Sequence, residues 1–203
     1  MNLTDLKSRY DIGQVLDAMG LTGEGAEVGV AFGENAEIIL DSCELKKLHL
    51  IDPWNYVPNE NPKGYADAIK DWEGCMKYAM QKLSRFDRRA AFYRRTSVEG
   101  AAMFKDGSLD FVYIDANHMR PYIDNDLNAW WPKVKVGGIF GGHDYHMVND
   151  PDYTCEVKEA VDAFFADKDY TLHITNAEGD SPSWYCIKHD YTHTPQRSRG
   201  RID

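Results

Sequence analysis

Short apolar runs that alternate with stretches of helical character constrain this chain more than any other feature. The runs are Ala26–Val30, Leu48–Ile51, Ala90–Tyr93, Leu109–Ile114 and Ile139–Gly142. Each is of strand length, and Leu109–Ile114 gives the strongest signal, because it follows the turn Asp106-Gly107-Ser108 and stops at Asp115. Helices are predicted over Leu3–Met19, with Thr4 as its cap and Gly20 as its end, and over Asn35–Ser42, Tyr65–Leu83, Ile123–Trp131 and Cys155–Phe165. Strands that alternate with helices need parallel crossovers, so the expected class is α/β with a doubly wound sheet. Two late runs, Tyr170–Thr175 and Ser183–Ile187, flank the turn Glu178-Gly179-Asp180 and predict an antiparallel pair at the sheet edge.

The chain has 203 residues, which suits one domain with a full core. That domain is expected over residues 1–190. Residues 191–203, with Arg197, Arg199 and Arg201, read as a polar solvated tail. Acidic residues outnumber basic ones by 33 to 23, a net charge of −10 that repels phosphate backbones and argues against nucleic acid as a partner. Cys43, Cys75, Cys155 and Cys186 form no C-x-x-C pair, which argues against a zinc site and suits reduced thiols in a cytoplasmic protein. No apolar run approaches membrane-spanning length and the first residues lack a signal pattern.

In an open parallel sheet, ligands bind beyond the carboxyl ends of the strands. The chemistry is therefore sought after each run. Glu27-Val28-Gly29-Val30-Ala31-Phe32-Gly33 follows the first. Gly29 and Gly33 allow backbone to approach a ligand. The dinucleotide fingerprint G-x-G-x-x-G is not met, because Glu27 stands at its first glycine and Gly29 to Gly33 is one residue too long. A carboxylate here suits a cationic ligand better than a pyrophosphate. The alternative is a plain glycine turn with a surface Glu. Asp52 ends the second run, 23 residues past Gly29, where it can accept both hydroxyls of a ribose or simply turn the chain into Pro53. Trp54 beside it can stack on a ligand or cover the sheet edge. Ser97, after the third run, can face an adenine edge or cap a helix.

The fourth and fifth runs end in Asp115-Ala116-Asn117-His118 and His143-Asp144-Tyr145-His146. Both ends face one crevice. Any of the three histidines could act as a general base, while Asp115 and Asp144 could hold a hard divalent cation. Capping of the loop by His143 and Asp144, with His146 in water, is the plainer alternative. Residues 53–83 carry Trp54, Tyr56, Tyr65, Trp72 and Tyr78 and are the expected lid; packing of Trp72 and Tyr78 against the sheet is the plainer reading of those two.

Taken together, Glu27-x-Gly29-x-x-x-Gly33, Asp52 and Phe111–His118 resemble class I S-adenosylmethionine (SAM)-dependent methyltransferases. The stretch Asp126-Leu127-x-Ala129-Trp130-Trp131-Pro132-Lys133-Val134-Lys135-x-Gly137-Gly138-Ile139-x-x-Gly142-His143-Asp144-Tyr145 is similar to the methyltransferase-24 group, related to macrocin and catechol O-methyltransferase-like enzymes. The resemblance covers about residues 24 to 146. It implies a Rossmann-like seven-stranded mixed sheet with SAM as methyl donor. Glu27 and Gly29 would lie by the methionine part, with Phe32 and Gly33 beside them. Asp52 and Trp54 would lie by the ribose and Ser97 by the adenine, and Asp115 would also contact the cofactor. The metal-dependent relatives imply Mg²⁺ at Asp115, His143 and Asp144, although His143 stands where they carry a carboxylate. The metal-free version implies a base among His118, His143 and His146, with Asp115 beside it. The expected reaction is O-methylation of a small-molecule hydroxyl on a sugar, phenol or natural product. The expected partner is that acceptor, without nucleic acid or membrane, and a homodimer is left open. A nicotinamide-dependent oxidoreductase and a non-catalytic SAM- or nucleotide-binding module are the rival readings.

Overall fold

The computed structural model describes residues 3–55, 69–146, 148–150, 153–176 and 181–190. One sheet holds seven strands: β1 (Glu24–Val28), β2 (Lys47–Asp52), β3 (Ala90–Arg94), β4 (Leu109–Ile114), β5 (Val134–Gly142), β8 (His173–Ile174) and β9 (Trp184–Ile187). Their order across the sheet is β3-β2-β1-β4-β5-β9-β8. The first five run parallel, β9 lies antiparallel to β5, and β8 lies antiparallel to β9. This is the doubly wound mixed sheet that the strand–helix alternation predicts. A separate hairpin of β6 (Val148–Asp150) and β7 (Tyr153–Cys155) follows β5 and has no counterpart among the predicted strands.

Helices α1 (Ile12–Ala18), α2 (Glu34–Ser42) and α3 (Trp72–Leu83) accompany one half of the chain, and α4 (Ser97–Ala101), α5 (Tyr122–Trp130) and α6 (Val157–Phe165) the other. The period-two pleat of the strands divides the core between them. Phe111 and Tyr113 face the cluster that holds Ile12, Leu16, Ile39 and Leu83. Their neighbours Val112 and Ile114 face the cluster with Leu127, Trp130, Val161 and Trp184. Trp130 is fully buried, as its helical spacing suggests, and a burial of this kind costs about 3–5 kcal/mol to remove by truncation to alanine. Trp131 packs edge-on against Phe140, Phe164, Phe165 and Tyr170.

Several boundaries move for identifiable reasons. The predicted helix over residues 3–19 is two 3₁₀ turns, Leu3–Asp5 and Arg9–Asp11, followed by α1. Ser8 stops the first segment and restarts the chain through a reciprocal cap with Asp11, so Thr4 is not the cap of a long helix. Strand β1 ends at Val28 rather than Val30 because Gly29 takes φ +85°. Helix α6 begins at Val157 because Cys155 belongs to β7. Helix α3 begins at Trp72, where Asp71 caps it. Tyr56, Tyr65 and the rest of residues 56–68 of the expected lid lie outside the described residues, as do the 178–180 turn and the 191–203 tail. All four cysteines are buried, and none forms a disulfide among the described residues. Among the described residues, no helix is long and apolar enough to cross a membrane.

Candidate active site

Chain connectivity runs outward from β1 to β3 and then returns to β4, so the order of winding reverses between β1 and β4. The tips of these strands are joined by backbone. Asp115 N–H donates to the Val28 carbonyl at 2.7 Å, Gly29 N–H to Ile51 at 2.9 Å, and His143 N–H to Ile114 at 2.9 Å. A Cβ placed on Gly29 would stand 1.9 Å from the Asp115 carbonyl oxygen. Only glycine permits both that approach and the left-handed φ. Gly33, at φ +78°, opens α2.

Glu27 is 1% exposed, which rules out the surface-Glu alternative. One carboxyl oxygen accepts from Asn35 Nδ2 at 2.9 Å. The other, Oε2, is buried and has no hydrogen-bond partner among the described residues. Burial pushes the Glu27 carboxyl up to about 8, against the Asn35 hydrogen bond, which pulls the other way. A buried acceptor without a donor is costly unless a ligand completes it. The ammonium of SAM's methionine head supplies both a donor and the missing positive charge, so these residues fit that cofactor.

Asp52, expected to hold a ribose, also binds backbone. Its Oδ2 accepts from Val30 and Ala31 N–H at 2.8 and 3.0 Å, and Oδ1 from Trp54 N–H at 2.6 Å. The carboxylate thereby clamps the two loops that leave β1 and β2. Trp54 is fully buried, at φ +39°, and its indole N–H donates to the Ala31 carbonyl, so its ring has no face to stack on a ligand. Ser97 is also engaged. Thr96, not Ser97, caps α4, and the Ser97 hydroxyl accepts from Trp130 Nε1 at 2.9 Å and hydrogen-bonds Asp126. Asp126 is buried there, and burial raises its carboxyl to about 7. Phe32 packs edge-on against Tyr78 and lines a recess with Glu34, Asp71 and Cys75. Tyr78 is 52% exposed, so its expected packing against the sheet is not found.

Across the crevice, β4 and β5 bring together Asp115, His118, His143, Asp144 and His146. His118 Nε2 lies 3.4 Å from Asp115 Oδ1 and 3.3 Å from Asp144 Oδ2. His143 Nδ1 lies 3.3 Å from the same Asp144 oxygen and 3.9 Å from Asp115 Oδ2. His146 Nε2 is further out, 3.9 Å from Asp144 Oδ1. Asp144 holds φ +52°, a left-handed conformation that Asp tolerates better than most residues. Burial alone would raise the Asp144 carboxyl, but the His143 hydrogen bond and the His118 and His143 charges hold it well below the usual range. Burial likewise opposes protonation of His118 and His143, yet their carboxylate neighbours raise both.

Asp115, His118 and Asp144 can each offer one ligand atom, all within 4.8 Å of one another. That triad holds His118 in place of the expected His143, whose Nδ1 lies near the same two carboxylates. Mg²⁺ fits it poorly. This ion requires an octahedral shell of oxygens, whereas two imidazoles occupy the space around Asp144.

Three residues at the site carry no signal in the sequence. Asn35 sits two positions into the helix opened by Gly33, where a side chain can turn back to Glu27. Tyr113, on β4, is fully buried and its hydroxyl meets Ser183 Oγ at 3.0 Å. Arg9 comes from the N-terminal turns and approaches Asp115 at 3.9 Å.

A reversal of winding between β1 and β4, a phosphate-averse carboxyl at the first strand tip and a polar cluster opposite define a Rossmann-like domain of the class I methyltransferase type. The family profile described as "Methyltransferase domain" (Methyltransf_24) matches residues 26–145, more than half of the chain. The chain therefore belongs to the methyltransferase-24 family, a group of SAM-dependent methyltransferases. Solved structures agree on the fold. An O-methyltransferase from Bacillus cereus in complex with SAH is 14% identical with a TM-score of 0.59, over 89% of this chain and 80% of that one. TomG, an O-methyltransferase from Streptomyces achromogenes involved in tomaymycin synthesis and solved with SAM, is 13% identical with a TM-score of 0.63, over 89% and 79%. An rRNA methylase from Streptococcus thermophilus is 13% identical with a TM-score of 0.57, over 88% and 96%. A comparison with curated proteins finds no match.

Proposed function

We propose that this methyltransferase transfers the methyl group of SAM to a hydroxyl of a small-molecule acceptor, with His118 as the general base. The observation that carries this reading is the pair of unlike chemistries across one crevice. Glu27, at the tip of β1, is a buried carboxyl with one oxygen unpartnered among the described residues, and His118, after β4, is an imidazole between two carboxylates. SAM, when bound, supplies a methyl group activated by its sulfonium. Glu27 takes the ammonium of the methionine head, and Gly29 and Gly33 leave the wall beside it bare. Held there, SAM would supply that methyl group to the acceptor hydroxyl, whose proton is left for the protein to remove. His118 takes the hydroxyl proton at Nδ1, because Nε2 points at two carboxylate oxygens and keeps its own hydrogen there. Asp115 and Asp144 orient the ring and stabilise the imidazolium that results. His143, 7% exposed, supports the Asp144 carboxylate through its Nδ1.

Two of the similar structures are O-methyltransferases by name, which supports oxygen as the acceptor atom. The net charge of −10 supports a small acceptor over the RNA of the similar rRNA methylase. A cytoplasmic location fits four buried cysteines with no disulfide among the described residues. The test supplies labelled SAM with phenolic, catecholic and sugar hydroxyl acceptors, and with rRNA in parallel, each with and without EDTA. Label in a small hydroxyl compound that persists in EDTA is the expected outcome. Label in rRNA alone would refute the acceptor class, and loss of turnover in EDTA with rescue by a divalent ion would refute the metal-free base.

A further inference from the structure

The N-terminal turns place a permanent cation where the cofactor's amino-acid head belongs. Arg9 opens the 3₁₀ turn Arg9–Asp11 and is not on a loose end. Leu3, Leu6 and Ile12 on either side of it are buried in the core shared with α2. The Lys7 carbonyl accepts from Asn176 N–H at 3.3 Å, and the Leu6 carbonyl meets His173 Nε2 at 2.9 Å. These contacts fasten the segment to the β8 region on the far edge of the sheet. From that mount the guanidinium projects over the tips of β1 and β4. Its Nη1 lies 3.9 Å from Asp115 Oδ2, and its charge acts on Glu27, Tyr113 and His143 as well. The side chain is 23% exposed and its guanidinium stands 5.4 Å from the Tyr10 ring centroid.

The methionine head of SAM is zwitterionic: an ammonium and a carboxylate share one carbon. Glu27 serves the ammonium. A carboxylate brought to the same place would meet Glu27 and Asp115, two acidic groups that repel it, unless a cation stands between. Guanidinium is the side chain best shaped to receive a carboxylate, through two parallel N–H bonds.

We propose that Arg9 binds the α-carboxylate of SAM, so that Glu27 and Arg9 read the two charged ends of its methionine head. This rests on the methyltransferase reading above. It makes the N-terminal segment, outside the matched family region of residues 26–145, part of the cofactor site. It also makes the enzyme selective for the intact amino acid over decarboxylated or truncated nucleosides.

The test is calorimetric titration of the full chain and its Arg9→Gln and Arg9→Lys variants with two ligands. One is S-adenosylhomocysteine and the other is its decarboxylated form, which keeps the ammonium, thioether and nucleoside. The wild type is expected to prefer the carboxylate-bearing ligand by about ten- to a hundredfold, the range for a charge-assisted contact. Arg9→Gln removes that preference by weakening S-adenosylhomocysteine alone, and Arg9→Lys retains part of it. Equal weakening of both ligands in Arg9→Gln would make Arg9 a structural counter-ion of Asp115 and overturn the proposal. So would a wild type that binds the two ligands equally, a result that needs no variant to fold. A wild type that binds neither ligand would instead overturn the cofactor reading itself.

Discussion

The two walls of the crevice are built by opposite means. On the β1–β2 wall the backbone does most of the shaping. Gly29 and Gly33 take left-handed conformations, and Asp52 accepts from the amides of Val30, Ala31 and Trp54. Glu27 keeps one carboxyl oxygen for a ligand. On the β4–β5 wall, side chains crowd together, and Asp144 alone is approached by three imidazoles. The first wall is a rigid seat with one unmet bond. The second is a proton-handling cluster whose charges balance internally. Binding and chemistry should therefore separate under mutation.

The sharpest separation is expected at His118. His118→Gln or Asp144→Asn should lower kcat by about 10²- to 10⁴-fold, the usual value of a positioned base. Affinity for S-adenosylhomocysteine by calorimetry should stay within about threefold, because neither residue belongs to the seat. A parallel loss of binding would merge the two walls into one functional unit. Gly29→Ala breaks the comparison from the other side. Its new methyl overlaps the Asp115 carbonyl across both walls, and urea unfolding should show a loss of about 3 kcal/mol or more.

Glu27→Gln is a smaller and pH-dependent change. The Glu27 carboxyl lies at about 8 in the fold against an ordinary 4.5, so the folded protein favours its neutral form. Stability from this group is therefore full below about pH 4.5 and is lost as pH rises toward 8. The neutral amide avoids that loss. Thermal melts of the ligand-free protein should show Glu27→Gln more stable than wild type at pH 8, by a few kcal/mol at most, with no gain at pH 4. The scale follows from about 1.4 kcal/mol for each tenfold change in a protonation equilibrium between the folded and unfolded chain. The same variant should bind S-adenosylhomocysteine more weakly. Wild-type binding at pH 7 should release a proton, read as a dependence of the measured heat on the buffer's ionisation enthalpy. His146→Ala, at the rim of the cluster, should change kcat by less than about threefold.

Much of this is legible in the sequence because it depends on short-range rules. Alternating apolar runs and helical stretches fix a doubly wound sheet, and the strand tips follow from where each run stops. Asp115, His118, His143 and Asp144 are found this way. The parts that are not legible depend on partners distant in sequence. Ser97 reads as a free hydroxyl until Trp130, 33 residues on, is packed against it. Trp54 reads as a platform until the Ala31 carbonyl claims its indole. The β6–β7 hairpin is too short to announce itself against the helix that follows.

What the sequence determined by itself is the class of fold and the places where chemistry can occur. Periodicity, glycine spacing and the residues ending each strand are local properties of the chain. Tertiary structure decided which of those residues are available. It gave Asp52 and Ser97 hydrogen bonds from their neighbours and left Glu27 Oε2 without one among the described residues. It set His118 and His143 beside the same two carboxylates, and it carried Arg9 across the sheet to meet Asp115. The physical reason is that a polar group's function depends on which of its hydrogen-bonding positions remain unmet after folding, and that is set by atoms far away in the chain.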